Sequence, residues 1–283
     1  MCNLLTIKKT VAFCAVLWTG SAMNSGAAEL AATGPDARHI TRVDSQDLWG
    51  TLCGRFVLRP DDSERPFDEA LVIDPATGGI KNILVYARKV SRVRPLNISE
   101  SAGGSRPASL EIKAHAFNPR VVVLQQCQHL TIRNDDKVPH VFLMRPPVGM
   151  ETNLLLNPGD YIERQLCDRN FLPVIVSCSF HPWMTTYVLV RDDPYFAVTD
   201  RYGRFEIRDL PAAEEIEFQV WHELGRGRHG SIEARPEWGQ GRFRITIPRN
   251  HTVDLGTIVL TPASLHLEKR HDAGNRAHDA APH

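Results

Sequence analysis

PVIVSCSFHPWMTTYVLVRD, residues 173–192, reads as two strands joined by a short loop. The flanking runs PVIVSC and TTYVLVRD are rich in β-branched residues, the composition of a strand. Between them, CSFHPWM (178–184) brings the thiol of Cys178, the imidazole of His181 and the thioether of Met184 within seven positions. With 6 Cys, 12 His and 5 Met in 283 residues, the spacing C-x2-H-x2-M is expected by chance about 0.005 times.

A metal that cycles between Cu(I) and Cu(II) suits a soft thiolate, two imidazoles in the same plane and a weak axial thioether. The loop supplies all of these but the second imidazole. NDDKVPHVFL (134–143) offers it: His140 stands where the run HLTIRND ends and a new strand begins. Zinc is the competing metal, but structural zinc prefers paired thiolates, and no other cysteine makes such a pair. A lone Cys or Met is more often core filler; the joint spacing is what argues for ligands. His115 and His129 fall in strand-like runs and His222 in EFQVWHE, where each reads as a structural histidine.

Working outward, short β-branched and aromatic runs separated by Gly, Pro and Asp clusters continue through the chain and predict an all-β protein. TLCGRFVL and IKNILVYARK fall in an N-terminal segment, 49–91, and a polar Gly/Pro-bearing connector follows at 91–108. Seven runs then crowd into 109–192, the density of a β-sandwich. A smaller β unit occupies 193–262. It opens on YFAVTDRYGRFEIRDL, which reads as a hairpin turning at Asp200–Gly203. The tail, 263–283, is polar and predicts disorder.

The N-terminus has the form of an export signal over 1–28. Lys8 and Lys9 precede an apolar run, Val11–Leu17, and a small-residue cleavage site follows, with the cut after Ala28 or Ala27. The run is too short to span a bilayer; a buried N-terminal helix is the other reading. Export places the mature chain in the periplasm or outside the cell, where disulfides persist. Cys53, Cys127, Cys167 and Cys178 remain after cleavage. The formal charge of +0 gives no electrostatic footprint for nucleic acid. No Ser-His-Asp set, phosphate loop or paired catalytic carboxylates appears, so no enzyme is expected.

Residues 109–192 resemble a cupredoxin, and CSFHPWM resembles the short ligand loop of the amicyanin type. FNPRVVVLQQCQHLTIRNDDKVPH resembles the cupredoxin stretch that leads to the first His ligand. The resemblance implies a Greek-key β-sandwich holding one type 1 copper ion on His140, Cys178, His181 and Met184. Two positions depart from pattern. Cupredoxins usually carry Asn after the first His ligand, where this chain has Val141. YFAVTDRYGRFEIRDLPAAEEIEFQVWHE is similar to carboxypeptidase regulatory-like modules of transthyretin type, grouped with starch-binding-like folds, but Ala213 replaces their expected Gly. The two halves together resemble exported bacterial proteins, some labelled as methylamine-utilisation proteins. That resemblance implies that the strands within 49–91 complete the second sandwich around an inserted cupredoxin; separate modules in succession are the alternative.

The implied function is transfer of single electrons to a transient protein partner. Pro182 and Trp183 would flank the exposed edge of His181 in a small docking patch. Two other functions stay in view. Trp221, Trp238 and Tyr202 could stack on carbohydrate. His266, His271, His278 and His283 could collect copper for storage or delivery. For the disulfide, strands that end at one metal begin at a common far pole, and Cys127 matches a disulfide cysteine of the azurin branch. Cys127–Cys167 is therefore expected, with Cys53–Cys127 as the alternative.

Overall fold

A computed structural model describes residues 48–59, 71–94 and 108–266. The export signal at 1–28, most of the connector, and His271, His278 and His283 of the tail lie outside the described residues. The chain runs through β1 (Trp49–Leu58), β2 (Leu84–Lys89), β3 (Ala108–Lys113), β4 (Ala116–Asn118), β5 (Val121–Gln125), β6 (His129–Asn134), β7 (His140–Met144) and β8 (Thr152–Leu156). It continues through β9 (Tyr161–Gln165), β10 (Val174–Ser177), β11 (Thr185–Arg191), β12 (Phe196–Val198), β13 (Arg204–Pro211), β14 (Glu215–Trp221), β15 (Arg242–Thr246) and β16 (Thr252–Leu260). The architecture is all-β, two sandwiches of two sheets each.

The first sandwich packs the sheet β4-β3-β6-β9 on the sheet β5-β11-β10-β7-β8. Its strands show the alternation that one buried face demands. In β3, Leu110 and Ile112 turn inward while Ser109, Glu111 and Lys113 face solvent. Those two residues join Leu130, Ile132, Phe142, Val176, Val188 and Val190 in one core.

The second sandwich is assembled from both ends of the chain. β1 lies between β13, antiparallel, and β16, parallel. β2 lies between β12 and β14 in the opposing sheet. Its core holds Leu52, Phe56, Ile83, Val85, Phe205, Phe218 and Ile258. The first sandwich is thus inserted between β2 and β12.

One expectation fails here. YFAVTDRYGRFEIRDL is not a hairpin, because β12 pairs with β2 and β13 with β1. The tight turn at Asp200–Gly203 is present, closed by the Gly203 N–H donating to the Asp200 carbonyl. The strands on its two sides part into opposite sheets because the N-terminal strands occupy the edges along which they would have paired.

The sandwiches meet over a third apolar cluster. Leu84 and Tyr86 of β2 and Trp221 of β14 pack on Val121 of β5 and Leu189 of β11. β11 is consequently buried on both faces: Val188 and Val190 point into the first core, Leu189 into the shared cluster. This explains why TTYVLVRD reads as a nearly continuous apolar run.

Candidate metal centre

β7 and β10 are antiparallel neighbours, with Ser177 paired to Leu143. The start of β7 and the end of β10 therefore lie at the same edge. His140 is the first residue of β7, and Cys178 follows the last residue of β10. The loop 178–184 returns to β11 and is closed on itself. The Cys178 N–H donates to the Met184 carbonyl at 3.2 Å, and the Met184 N–H to the His181 carbonyl at 2.9 Å.

The donor atoms converge. Cys178 Sγ lies 3.6 Å from His181 Nδ1 and 3.9 Å from His140 Nδ1. Metal–sulfur and metal–imidazole bonds of about 2.3 and 2.0–2.1 Å, opened to a trigonal angle, put S and N about 3.8 Å apart. The spacing fits three atoms that share one ion. His140, Cys178 and Met184 are 0%, 2% and 1% exposed, and His181 is half-buried. Of the four candidate residues, His181 comes nearest the surface.

A carboxylate orders the first histidine. His140 Nε2 lies 2.9 Å from Asp136 Oδ2. Burial would push the Asp136 carboxyl up, but N–H groups of His115 and Ala114, together with His140, hold it below the ordinary carboxylate value. An ionised Asp136 accepts, so Nε2 carries the proton and the Nδ1 lone pair faces Cys178. Burial, reinforced by neighbouring His181, lowers the pKa of His140 despite the opposing pull of Asp136.

Asp136 was not foreseen from sequence, and neither was the neighbourhood of His115. His115 is not in a strand. It sits in the turn between β3 and β4, exposed, with its ring centroid 5.0 Å from His181 and 5.5 Å from His140. Asp136 holds that turn through the Ala114 and His115 N–H groups, at 2.6 and 2.9 Å. Buried Asn134 braces the 134–140 loop: its amide donates to the Val138 and Leu156 carbonyls, and its Oδ1 accepts from the Asp136 N–H.

Val141 follows His140 at the start of β7. Its N–H donates to Cys178 Sγ at 3.3 Å. Its apolar side chain joins the core.

Pro182 and Trp183 are exposed beside His181, Trp183 by 65% and neighbouring Phe180 by 54%. Cys127 and Cys167 are joined in a disulfide between the β5–β6 turn and the end of β9. Cys53 is a free, half-buried thiol on β1, which excludes the Cys53–Cys127 pairing.

The carbohydrate candidates do not form a platform. Trp221 is 3% exposed and meets Tyr187 edge-on at 4.9 Å between the sandwiches. Trp238, equally buried, stacks on Phe243 at 4.4 Å. The ring of half-buried Tyr202 is flanked by the guanidinium groups of Arg201 and Arg204. Of the tail histidines only His266 is described, and it is exposed. His222 is a buried strand-end histidine whose Nδ1 accepts from the Leu224 N–H.

Comparison with models of known protein families gives no match. Comparison with curated proteins likewise gives none. Among solved structures, the chain is similar to a novel purple cupredoxin from Nitrosopumilus maritimus, with 27% identity over 30% of this chain and 99% of that one, at a TM-score of 0.26. It is also similar to an amicyanin variant in the reduced state, with 17% identity over 39% of this chain and 99% of that one, at a TM-score of 0.27. A third is a Cu-containing nitrite reductase from Thermus scotoductus SA-01, with 16% identity over 30% of this chain, at a TM-score of 0.28. The chain spans 22% of that reductase.

Proposed function

We propose that this protein is an exported type 1 copper protein that passes single electrons to and from a transient protein partner. The observation that carries the reading is the convergence of His140 Nδ1, Cys178 Sγ and His181 Nδ1 on one point, with Met184 buried at the end of the same loop. One thiolate and two imidazoles with a thioether nearby favour copper over zinc. Copper bound there would supply a one-electron couple. The chain's part is to hold the donors still on strand ends, so that little rearranges between oxidation states.

On this reading the ligand-bearing sandwich is a cupredoxin, and the split sandwich is a transthyretin-type, carboxypeptidase regulatory-like module. We infer a carrier rather than an enzyme, since the buried ligand set favours electron passage at the His181 edge over substrate access. The Cys127–Cys167 disulfide supports an oxidising, extracytoplasmic location. Among the described residues no helix is long and apolar enough to cross a membrane.

The test is the visible spectrum with added Cu(II). An intense thiolate-to-copper band is expected. Cys178→Ser should abolish it, whereas Met184→Leu should leave colour and raise the reduction potential. Correctly folded protein with a reduced Cys178 that gives no coloured copper form would overturn the reading.

A further inference from the structure

The ligand loop springs from a defined base. Ser177 and Thr185 are the last cross-strand pair of β10 and β11 before the loop begins. Arg120, in the link between β4 and β5, is bonded to three successive residues at that base. Its Nη1 donates to the Thr185 carbonyl at 2.9 Å. Its own carbonyl accepts from Thr186 Oγ1 and from the Tyr187 N–H, each at 3.0 Å. Thr185 directly follows Met184.

The other two arms of the guanidinium reach into the second sandwich. Nε and Nη2 donate to the two carboxylate oxygens of Glu223 at 2.7 and 2.6 Å. Such a two-pronged pair fixes the plane of the guanidinium as well as its place. The Glu223 side chain is only 7% exposed, so solvent screens the pair weakly. Burial, with the nearby Glu223 carboxylate adding to it, pushes the Tyr187 hydroxyl up to about 12. Glu223 lies two residues beyond Trp221, which anchors the shared apolar cluster. The second sandwich is therefore attached to the strand that leaves the metal site, one residue from Met184.

We propose that Arg120 and Glu223 are positioning residues for the metal-ligand loop. Through Glu223 the second sandwich orients the guanidinium that holds the Thr185 carbonyl, and so sets the placement of Met184 at the fourth position. This rests on the copper reading above, and it gives the second sandwich a part in tuning the site. A site supported by an outer layer of hydrogen bonds changes its properties when that layer is altered.

Two mild variants test it in the full-length protein. Glu223→Gln keeps the shape and removes the charge; Arg120→Lys keeps the charge and removes the fork. Both should shift the copper charge-transfer band and move the reduction potential in the same direction. The double variant should shift them no further than the larger single change, since the two residues act as one unit. In metal-free protein, Glu223→Gln should speed hydrogen exchange at the Cys178 and Met184 amides. Variants with the wild-type band and potential, even if thermally weaker, would overturn the proposal and reduce the pair to a structural clasp. If wild-type protein gives no coloured copper form, the copper reading fails; unchanged exchange at those two amides would then overturn the positioning role as well.

Discussion

The Asp136 carboxylate accepts a hydrogen bond from His140 while its oxygens also cap the backbone of Ala114 and His115. One side chain thus fixes the tautomer of buried His140 and the turn that brings the His115 imidazole beside it. Replacing Asp136 by Asn leaves the size unchanged but removes the charge that holds the Nε2 proton. Loss of such an outer partner typically costs 10–100-fold in metal affinity. Competition titration of Asp136→Asn with a copper chelator should show a loss in that range with the visible band retained. Unaltered affinity would mean that His140 is oriented by packing alone.

The candidate site was legible because its residues are local: Cys178, His181 and Met184 fall within seven positions, and rare residue types make the coincidence informative. His140 was legible because a strand starts there. Asp136 was not. NDDKVPH contains two adjacent aspartates, and the one that turns towards the site is chosen by contact with Ala114 and His115, twenty-odd residues away in sequence. His115 was hidden for a related reason. Ala114 and His115 both adopt positive φ, 53° and 55°, and neither is a residue that announces such a turn. SLEIKAHAF alternates as one strand would, so nothing local marks the break. The pairing of β12 and β13 with β2 and β1 is likewise set by residues more than a hundred positions earlier.

Ala213 stands where the resemblance calls for glycine, and the backbone there has φ of 62°. The residue is exposed, and its N–H donates to the Ile247 carbonyl at 2.8 Å. The turn keeps its left-handed form without the residue that favours it. An alanine in that region costs about 1–2 kcal/mol, partly offset by the unfolded-state entropy that glycine would add. Ala213→Gly should therefore stabilise the protein by roughly 0.5–1 kcal/mol. Chemical denaturation would check the sign, and a destabilised variant would show that the methyl group packs usefully.

The Cys127–Cys167 disulfide closes a loop of sequence separation 40. In the chain-entropy account that loop contributes about 4 kcal/mol. Cys127 lies just before β6, and the Asp136 loop leaves the other end of that strand, about 20 Å away at the usual rise. The double variant Cys127→Ser/Cys167→Ser should lose about 2–4 kcal/mol of stability and retain the copper band. A band lost together with the disulfide would show that the far pole of the sandwich controls the site.

Trp221 ties the two sandwiches together. It is buried against Tyr187, and its indole N–H donates to the His229 carbonyl at 2.8 Å. Truncation to alanine should cost about 3–5 kcal/mol, and the loss falls on the shared cluster rather than on either core. Wild-type protein should unfold in a single transition because the cluster couples the sandwiches. Trp221→Ala should split that transition into two, read by fluorescence and circular dichroism in denaturant. A single, merely displaced transition would mean that β1 and β2, threaded through the second sandwich, couple the halves without the tryptophan.

Trp183 tests the proposed partner surface. Its ring lies 5.3 Å from that of His181, and with Phe180 and Pro182 it flanks half-buried His181. A small exposed apolar patch suits brief docking, and on the proposed reading two copies of the protein should meet through it and exchange electrons. The self-exchange rate between oxidised and reduced protein, measured by NMR line broadening, therefore reads the patch without a named partner. Trp183→Glu would set like charges face to face in that encounter and should slow self-exchange at least about tenfold, equivalent to about 1.4 kcal/mol. Trp183 is not among the proposed ligands, so the visible band should stay in place. If self-exchange is unchanged while the band is intact, electrons leave by another face and the patch beside His181 is not the port.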